Sequence, residues 1–282
     1  METINTIEEI KKWSANTRAG GKSIGFVPTM GYLHEGHLSL VRKSLASCDR
    51  TIVSIFINPA QFRENEDLDI YPVDLEGDQN KLESDGVDVL FFPDREMMYP
   101  PGYKTHIEVE EIVDHLCGKS RPVFFRGVAT VVLKLFNITR PDKAFFGKKD
   151  WQQLTVVETL VRDLNLDVDI VGLPIIRETD QLAMSSRNKY LSQEERRSAR
   201  SLSRALEAAR EKVRHGEHSA EKIRSEIRNR IENEKGTKVD YISICDPQTF
   251  VEKNEIGENT LIALAVHIGK ARLIDNCIIE RE

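Results

Sequence analysis

The chain has 282 residues, 40% hydrophobic and 30% charged, with glycine and proline scattered, a composition that excludes a fibre or a disordered chain. Its net charge is −6 and its 40 Lys and Arg are dispersed, so the field repels a long polyanion such as tRNA or DNA. No apolar run reaches the roughly 18 residues a membrane helix needs, and Met1-Glu2-Thr3 opens neither a signal nor a transit peptide, so a cytoplasmic protein without membrane or nucleic-acid partners is expected.

In chain order, a first apolar strand is expected at residues 23–27. It runs through a tight turn, Pro28-Thr29-Met30-Gly31-Tyr32-Leu33-His34-Glu35-Gly36-His37, into an amphipathic helix at 37–46. A helix starting near Leu33 puts the imidazoles of His34 and His37 on one face of its first turn, with no side chain at Gly36 between them. The N–H groups and dipole of such a turn attract an anion, so the segment reads as a nucleotide-phosphate site, against the plainer reading of a surface histidine pair.

A second strand at 51–57 ends in Asn58-Pro59-Ala60-Gln61-Phe62, where the proline stops the ladder and presents two neutral amides. Amides suit a small polar acid because they donate without titrating. Asn58 serves equally well as a turn residue, whereas Gln61 reads more readily as a ligand. A helix at 75–84 and a strand at 87–92 follow, then a helix at 128–138 and a strand at 143–146.

The segment Phe146-Gly147-Lys148-Lys149-Asp150-Trp151-Gln152-Gln153 again takes a strand through a glycine turn into a helix, expected at 150–164. Asp150 suits the cap of that helix, Lys149 a phosphate clamp or a solvated side chain, and Gln153 a position one turn in. A strand at 168–173 completes an alternation that implies an α/β fold: a Rossmann-like parallel sheet covered on both faces, with ligands beyond the carboxyl ends of its strands.

The texture changes after Ile176. Met184-Ser185-Ser186-Arg187-Asn188 offers hydroxyls and a guanidinium to a polyphosphate, or is a serine-rich linker. A charged helix at 192–216 opens on a Ser-x-x-Glu capping signature; a second reaches about residue 235, and β-like runs stand at 239–245 and 260–267. Two domains are expected: residues 1–176 as the Rossmann-like, nucleotide- and acid-binding domain and 177–282 as a smaller α+β lid. Cys48, Cys117, Cys245 and Cys277 lack paired metal-ligand spacing and read as reduced thiols.

Taken together these motifs, with Leu182-Ala183 before Met184, resemble the pantoate–β-alanine ligase family of the nucleotidylyltransferase superfamily over almost the whole chain. The resemblance implies a reaction in two steps: the pantoate carboxylate attacks the α-phosphate of ATP, then the amine of β-alanine attacks the acyl adenylate and releases AMP. It implies catalytic roles for His37, His34, Lys149, Ser186 and Arg187. The ATP site would comprise Met30, Gly31, Tyr32, Leu33, His34, Glu35, Gly36 and His37, then Gly147, Lys148, Lys149 and Asp150, then Ile176, Met184, Ser185, Ser186 and Arg187.

The same resemblance gives pantoate to Gln61 and Gln153, brings Mg2+ with the ATP, places Asp78 on the metal side and implies a homodimer. Two positions depart from the family pattern: Phe124 stands where a histidine is common, and Gln181 where a glycine is expected. The competing readings are a nucleotidylyltransferase that stops once the nucleotide is joined, and a nucleotide-binding protein without activity. An aminoacyl-tRNA synthetase is disfavoured by the acidity and by the lack of room for a tRNA-reading domain.

Overall fold

The computed structural model describes residues 1–62, 68 and 71–280. They form two compact units, one of residues 1–109, 123–148 and 153–174, the other of residues 110–122, 149–152 and 175–280. The second unit therefore takes two short segments from the first half of the chain.

In the first unit, β1 (Glu2–Ile4), β2 (Ile24–Thr29), β3 (Arg50–Ile55), β4 (Val89–Phe91), β5 (Lys143–Gly147) and β6 (Asp169–Leu173) form one sheet in the order β1-β4-β3-β2-β5-β6. Every pairing is parallel. Helices α1 (Ile7–Ala19), α2 (Glu35–Leu45), α3 (Leu75–Asp85), α4 (Arg95–Met98), α6 (Phe124–Thr139) and most of α7 (Trp151–Asp163) accompany it; α5 (Leu116–Ser120) belongs to the second unit. Strand β2 is nearly all buried, which explains why Ile24-Gly25-Phe26-Val27 is apolar without alternation. The chain steps outward from β2 through β3 to β4 and returns to lay β5 on the other side of β2. A parallel sheet accepts ligands where its order reverses, beyond the carboxyl ends of such neighbours. Residues 30–37 follow β2 and Lys148 follows β5 at that place.

The turn after β3 is fixed from the side by α6. Asn58 Nδ2 donates to the Gly127 carbonyl at 3.1 Å, and Asn58 Oδ1 accepts from Ala60 N–H at 3.3 Å and from the Tyr99 hydroxyl at 2.8 Å. Contact is so close that a Cβ on Gly127 would lie 2.3 Å from the Ala60 carbonyl oxygen and 2.8 Å from the Gln61 nitrogen.

In the second unit, β7 (Thr237–Cys245), β8 (Thr260–Ile268) and β9 (Ala271–Ile279) form an antiparallel sheet in that order. Alternation divides its side chains. Ile262, Leu264, Val266 and Leu273 pack with Leu202 and Leu206 of α8 (Gln193–Arg214) and with Ile223 and Ile227 of α9 (Ala220–Glu232). Leu261 and Ala263 face the other way, into a cluster with Leu116, Trp151 and Phe250. The two borrowed segments thus cover the face that α8 and α9 leave.

Five of these elements are not expected from the sequence: the short α4 and α5, and β1, α1 and β9. Strand β1 has three residues of which only Ile4 is buried, too few for a period. Helix α1 carries Ile7, Ile10 and Trp13 at three-residue spacing, and Thr6 accepts from the Glu9 N–H as its cap, but only Ile10 and Ser14 of the helix are buried. Strand β9 carries Asp275 and Asn276 in buried positions, which break its apolar pattern. Helix α6 also begins four residues before the expected 128, at Phe124, whose ring meets Phe125 edge-on at 5.0 Å. No helix of the described residues is long and apolar enough to cross a membrane.

Gly127→Ala tests the seat of the turn after β3. The added methyl has to push against backbone, and overpacking of this kind costs about 1–3 kcal/mol. A denaturant midpoint unchanged from wild type would show that the contact is not fixed.

Candidate active site

The loop after β2 is built around its backbone N–H groups. Gly31 takes φ +86°, a left-handed backbone that glycine adopts without strain, and its N–H donates to Thr29 Oγ1 at 3.1 Å. The next two N–H groups both reach one carboxylate from α3: Tyr32 N–H donates to Asp78 Oδ2 at 2.6 Å and Leu33 N–H to Asp78 Oδ1 at 2.7 Å. One turn on, Lys81 Nζ donates to the Leu33 carbonyl at 2.9 Å and lies 3.5 Å from Asp78. Asp78 is 1% exposed; burial pushes its carboxyl above the usual range, and the two N–H donors and Lys81 pull against that. Both Asp78 oxygens thus serve backbone N–H donors, with the Lys81 ammonium beside them. Asp78 is a loop clamp.

Helix α2 starts at Glu35 rather than near Leu33, and His34 is its N-cap, in extended backbone. His34 Nδ1 accepts from the Gly36 N–H at 3.1 Å, and His37 Nδ1 accepts from the His34 N–H at 3.4 Å. The two side chains close a capping box in which histidines stand in for the usual Ser and Glu. Their rings stack at 4.1 Å between centroids, 29° apart. A ring nitrogen that accepts is unprotonated, so the neutral form of each ring carries its proton on Nε2. Glu35 turns away to Arg42, 2.8 Å off, whose guanidinium holds the Glu35 carboxyl below its ordinary value.

Asn58 holds its turn through the bonds described above. Gln61, on the same turn, is 7% exposed. Lys148 and Gln153 belong to this first unit, and Gly147 closes β5.

The other expected site residues lie in the second unit. A narrow antiparallel loop brings Met184 to Ile176, the Met184 N–H donating to the Ile176 carbonyl at 3.0 Å, with Arg177 paired to Ala183. At its tip Gln181 adopts φ +72°, the conformation the expected glycine would take, and its carbonyl accepts from Arg177 Nη1 at 3.2 Å. Ser185 then caps a short turn, Ser186–Tyr190, its Oγ accepting from the Arg187 N–H at 3.3 Å, and Ser186 is 8% exposed. Lys149 and Asp150 sit in the single turn before α7, with Lys149 Nζ 3.7 Å from Asp150. Several residues that hold these groups escape a reading of sequence. Lys81 has the i, i+3 spacing from Asp78 as a faint signal; Asp275 and Asn276 have none.

The family described as Pantoate-beta-alanine ligase matches the chain over residues 2–278. A pantothenate synthetase of Caldicellulosiruptor bescii is 54% identical, covering 99% of both chains. The crystal structure of pantothenate synthetase from Thermus thermophilus superposes with a TM-score of 0.94 at 41% identity, each chain covered in full. That of the Francisella tularensis pantoate-beta-alanine ligase, complexed with beta-gamma ATP and beta-alanine, gives 0.81 at 36%, covering 100% of this chain and 99% of its own.

Two substitutions probe the loops. Asp78→Asn replaces one acceptor oxygen by an NH2 donor, which strands the Tyr32 or Leu33 N–H. Leaving such a group unpaired costs about 1–3 kcal/mol, read as a lower urea midpoint and faster hydrogen exchange at those two amides; unchanged exchange would show that the clamp is dispensable. Gln181→Gly relieves a left-handed non-glycine residue and stabilises the chain by about 1 kcal/mol, an expectation that a lowered midpoint would refute.

Proposed function

The chain belongs to the pantoate-beta-alanine ligase family, and we propose that its reaction runs through a pantoyl adenylate. Pantoate's carboxylate oxygen attacks the α-phosphorus of ATP and pyrophosphate leaves; the β-alanine amine then attacks the acyl carbon and AMP leaves. The complex of the Francisella tularensis relative with beta-gamma ATP and beta-alanine supports the pairing of nucleotide and amine.

The observation that carries this reading is the stacked imidazole pair at the start of α2. Each ring has its Nδ1 on a backbone N–H, so its orientation is set before substrate arrives and Nε2 is the nitrogen that can donate. Donors fixed in place stabilise charge as it builds on a phosphate without reorganising. His34 and His37 act in this way on the α-phosphate, with His37 the principal catalytic residue. Met30 to His37, Gly147 and Lys148 bind ATP on the first unit. On the second, Lys149, Asp150, Ile176, Met184, Ser185, Ser186 and Arg187 do so, with Lys149, Ser186 and Arg187 sharing the phosphate charge.

Gln61 and Gln153 hold pantoate through neutral amides. Magnesium enters as a counter-ion on the β- and γ-phosphates of the substrate. Among the described residues no group of three or more His, Cys, Asp or Glu is placed to hold a metal, and Asp78 is engaged by backbone. The enzyme works on small molecules alone, as a cytoplasmic homodimer; a net charge of −6 without a basic patch in the sequence supports the first part, and the family resemblance the second.

Mixing enzyme, ATP, Mg2+ and pantoate with and without β-alanine tests the route. One pyrophosphate per site is expected without the amine, and repeated turnover with AMP when it is added; turnover indifferent to the amine would point to a nucleotidylyltransferase. His37→Ala should lower kcat by roughly 10²–10³. Activity kept within about tenfold of wild type would remove His37 from the catalytic role, since loss of a preorganised donor costs more than that.

A further inference from the structure

We propose that Asn276 is a positioning residue for Lys149, a proposal that rests on the phosphate role given to Lys149 above. Asn276 lies on β9 and is 6% exposed, on the sheet face turned away from α8 and α9. Its Nδ2 donates to the Lys149 carbonyl at 2.9 Å. Lys149 belongs to a single helical turn between β5 and α7. A lysine has four side-chain torsions, and its ammonium is placed only as well as the Cα from which it springs.

Asn276 is itself held by its neighbour. Asp275 points to the opposite face, 2% exposed, and one of its oxygens accepts the Asn276 N–H at 2.8 Å. The same carboxylate takes both terminal nitrogens of Arg177, at 2.7 and 3.0 Å. A fork-to-fork pair of this kind fixes angle as well as distance. Arg177 opens the loop that leads to Met184, and Ser186–Tyr190 packs beside β9. Two adjacent residues on opposite faces of one strand therefore hold two segments of the second unit: the Lys149 turn directly, and the Arg177 loop through the ion pair. Neither belongs to the motifs through which the chain resembles its family.

The test is a double-mutant cycle with rates expressed per folded enzyme. Asn276→Ala should lower kcat for ATP–pyrophosphate exchange roughly ten- to a hundredfold, because displacement of a catalytic group by about 1 Å has effects of that size. KM for pantoate should stay within about twofold, since groups acting only in the transition state leave ground-state binding alone. In the Lys149→Ala background the same change should cost almost nothing further, because residues acting through one another are not additive. Asn276→Thr keeps a strand-favouring residue of similar volume but cannot reach the carbonyl, and should repeat the pattern if the alanine variant folds poorly. Additive losses, or a fall in kcat that follows only the fraction folded, would overturn the role of Asn276 while leaving that of Lys149 intact. Full activity of Lys149→Ala would overturn both.

Discussion

The active loop depends on one demand: every backbone N–H between the end of β2 and the first turn of α2 needs an acceptor. A strand that turns sharply into a helix leaves these groups without ladder or helical partners. The chain answers with side chains, taking Gly31 N–H on Thr29, Tyr32 and Leu33 on Asp78, and His34 and Gly36 on the two imidazoles. Everything the loop does chemically follows from that. The histidines are oriented because their Nδ1 atoms are consumed, and the polypeptide path is set because α3 holds it by a carboxylate. Burying that carboxylate is costly, as its raised pKa shows, and two short charge-assisted bonds with Lys81 close by offset the cost.

The sequence reveals much of this. Apolar runs separated by helical periods read as a parallel sheet because strands buried on both faces need no alternation, and β2, β3 and β5 stand within a few residues of where that reading puts them. The turn after β2 is legible because its glycines and closely spaced histidines mark a break between the strand and the helix. The start of α2 is not: cap statistics favour Ser, Thr, Asp and Asn, so a histidine at that place looks like the first residue of a helix rather than its cap. Strand β9 is hidden for a related reason, since Asp275 and Asn276 are buried only because distant residues supply their partners. Residues 110–122 join the second unit through contacts far along the chain, with Gln152 donating to the Ile112 and His115 carbonyls at 2.8 Å; no local pattern encodes such bonds.

The departures from the family pattern have different physical meanings. Gln181 is a substitution of residue but not of backbone: the turn still runs through a left-handed φ, at a local cost of about 1–2 kcal/mol, and Arg177 and Glu178 hold the tip in that shape through its carbonyl and N–H. Phe124 changes chemistry rather than path. It stands in the first turn of α6, and its ring meets Phe125 edge-on where the family pattern has a histidine.

An acidic enzyme that handles a nucleotide must recruit phosphate locally, because its overall field works against approach. In the proposed reaction the two imidazoles do so as donors whose Nδ1 atoms are already taken by backbone N–H groups. The proposed reaction thus sets fixed dipoles next to the reacting phosphorus. Such dipoles stabilise a transition state that is more charged than the ground state, and they hold the departing pyrophosphate less firmly than fixed cations would. The proposal leaves the cationic share of the work to Lys149 and Arg187. Lys149 keeps a carboxylate 3.7 Å away, at Asp150.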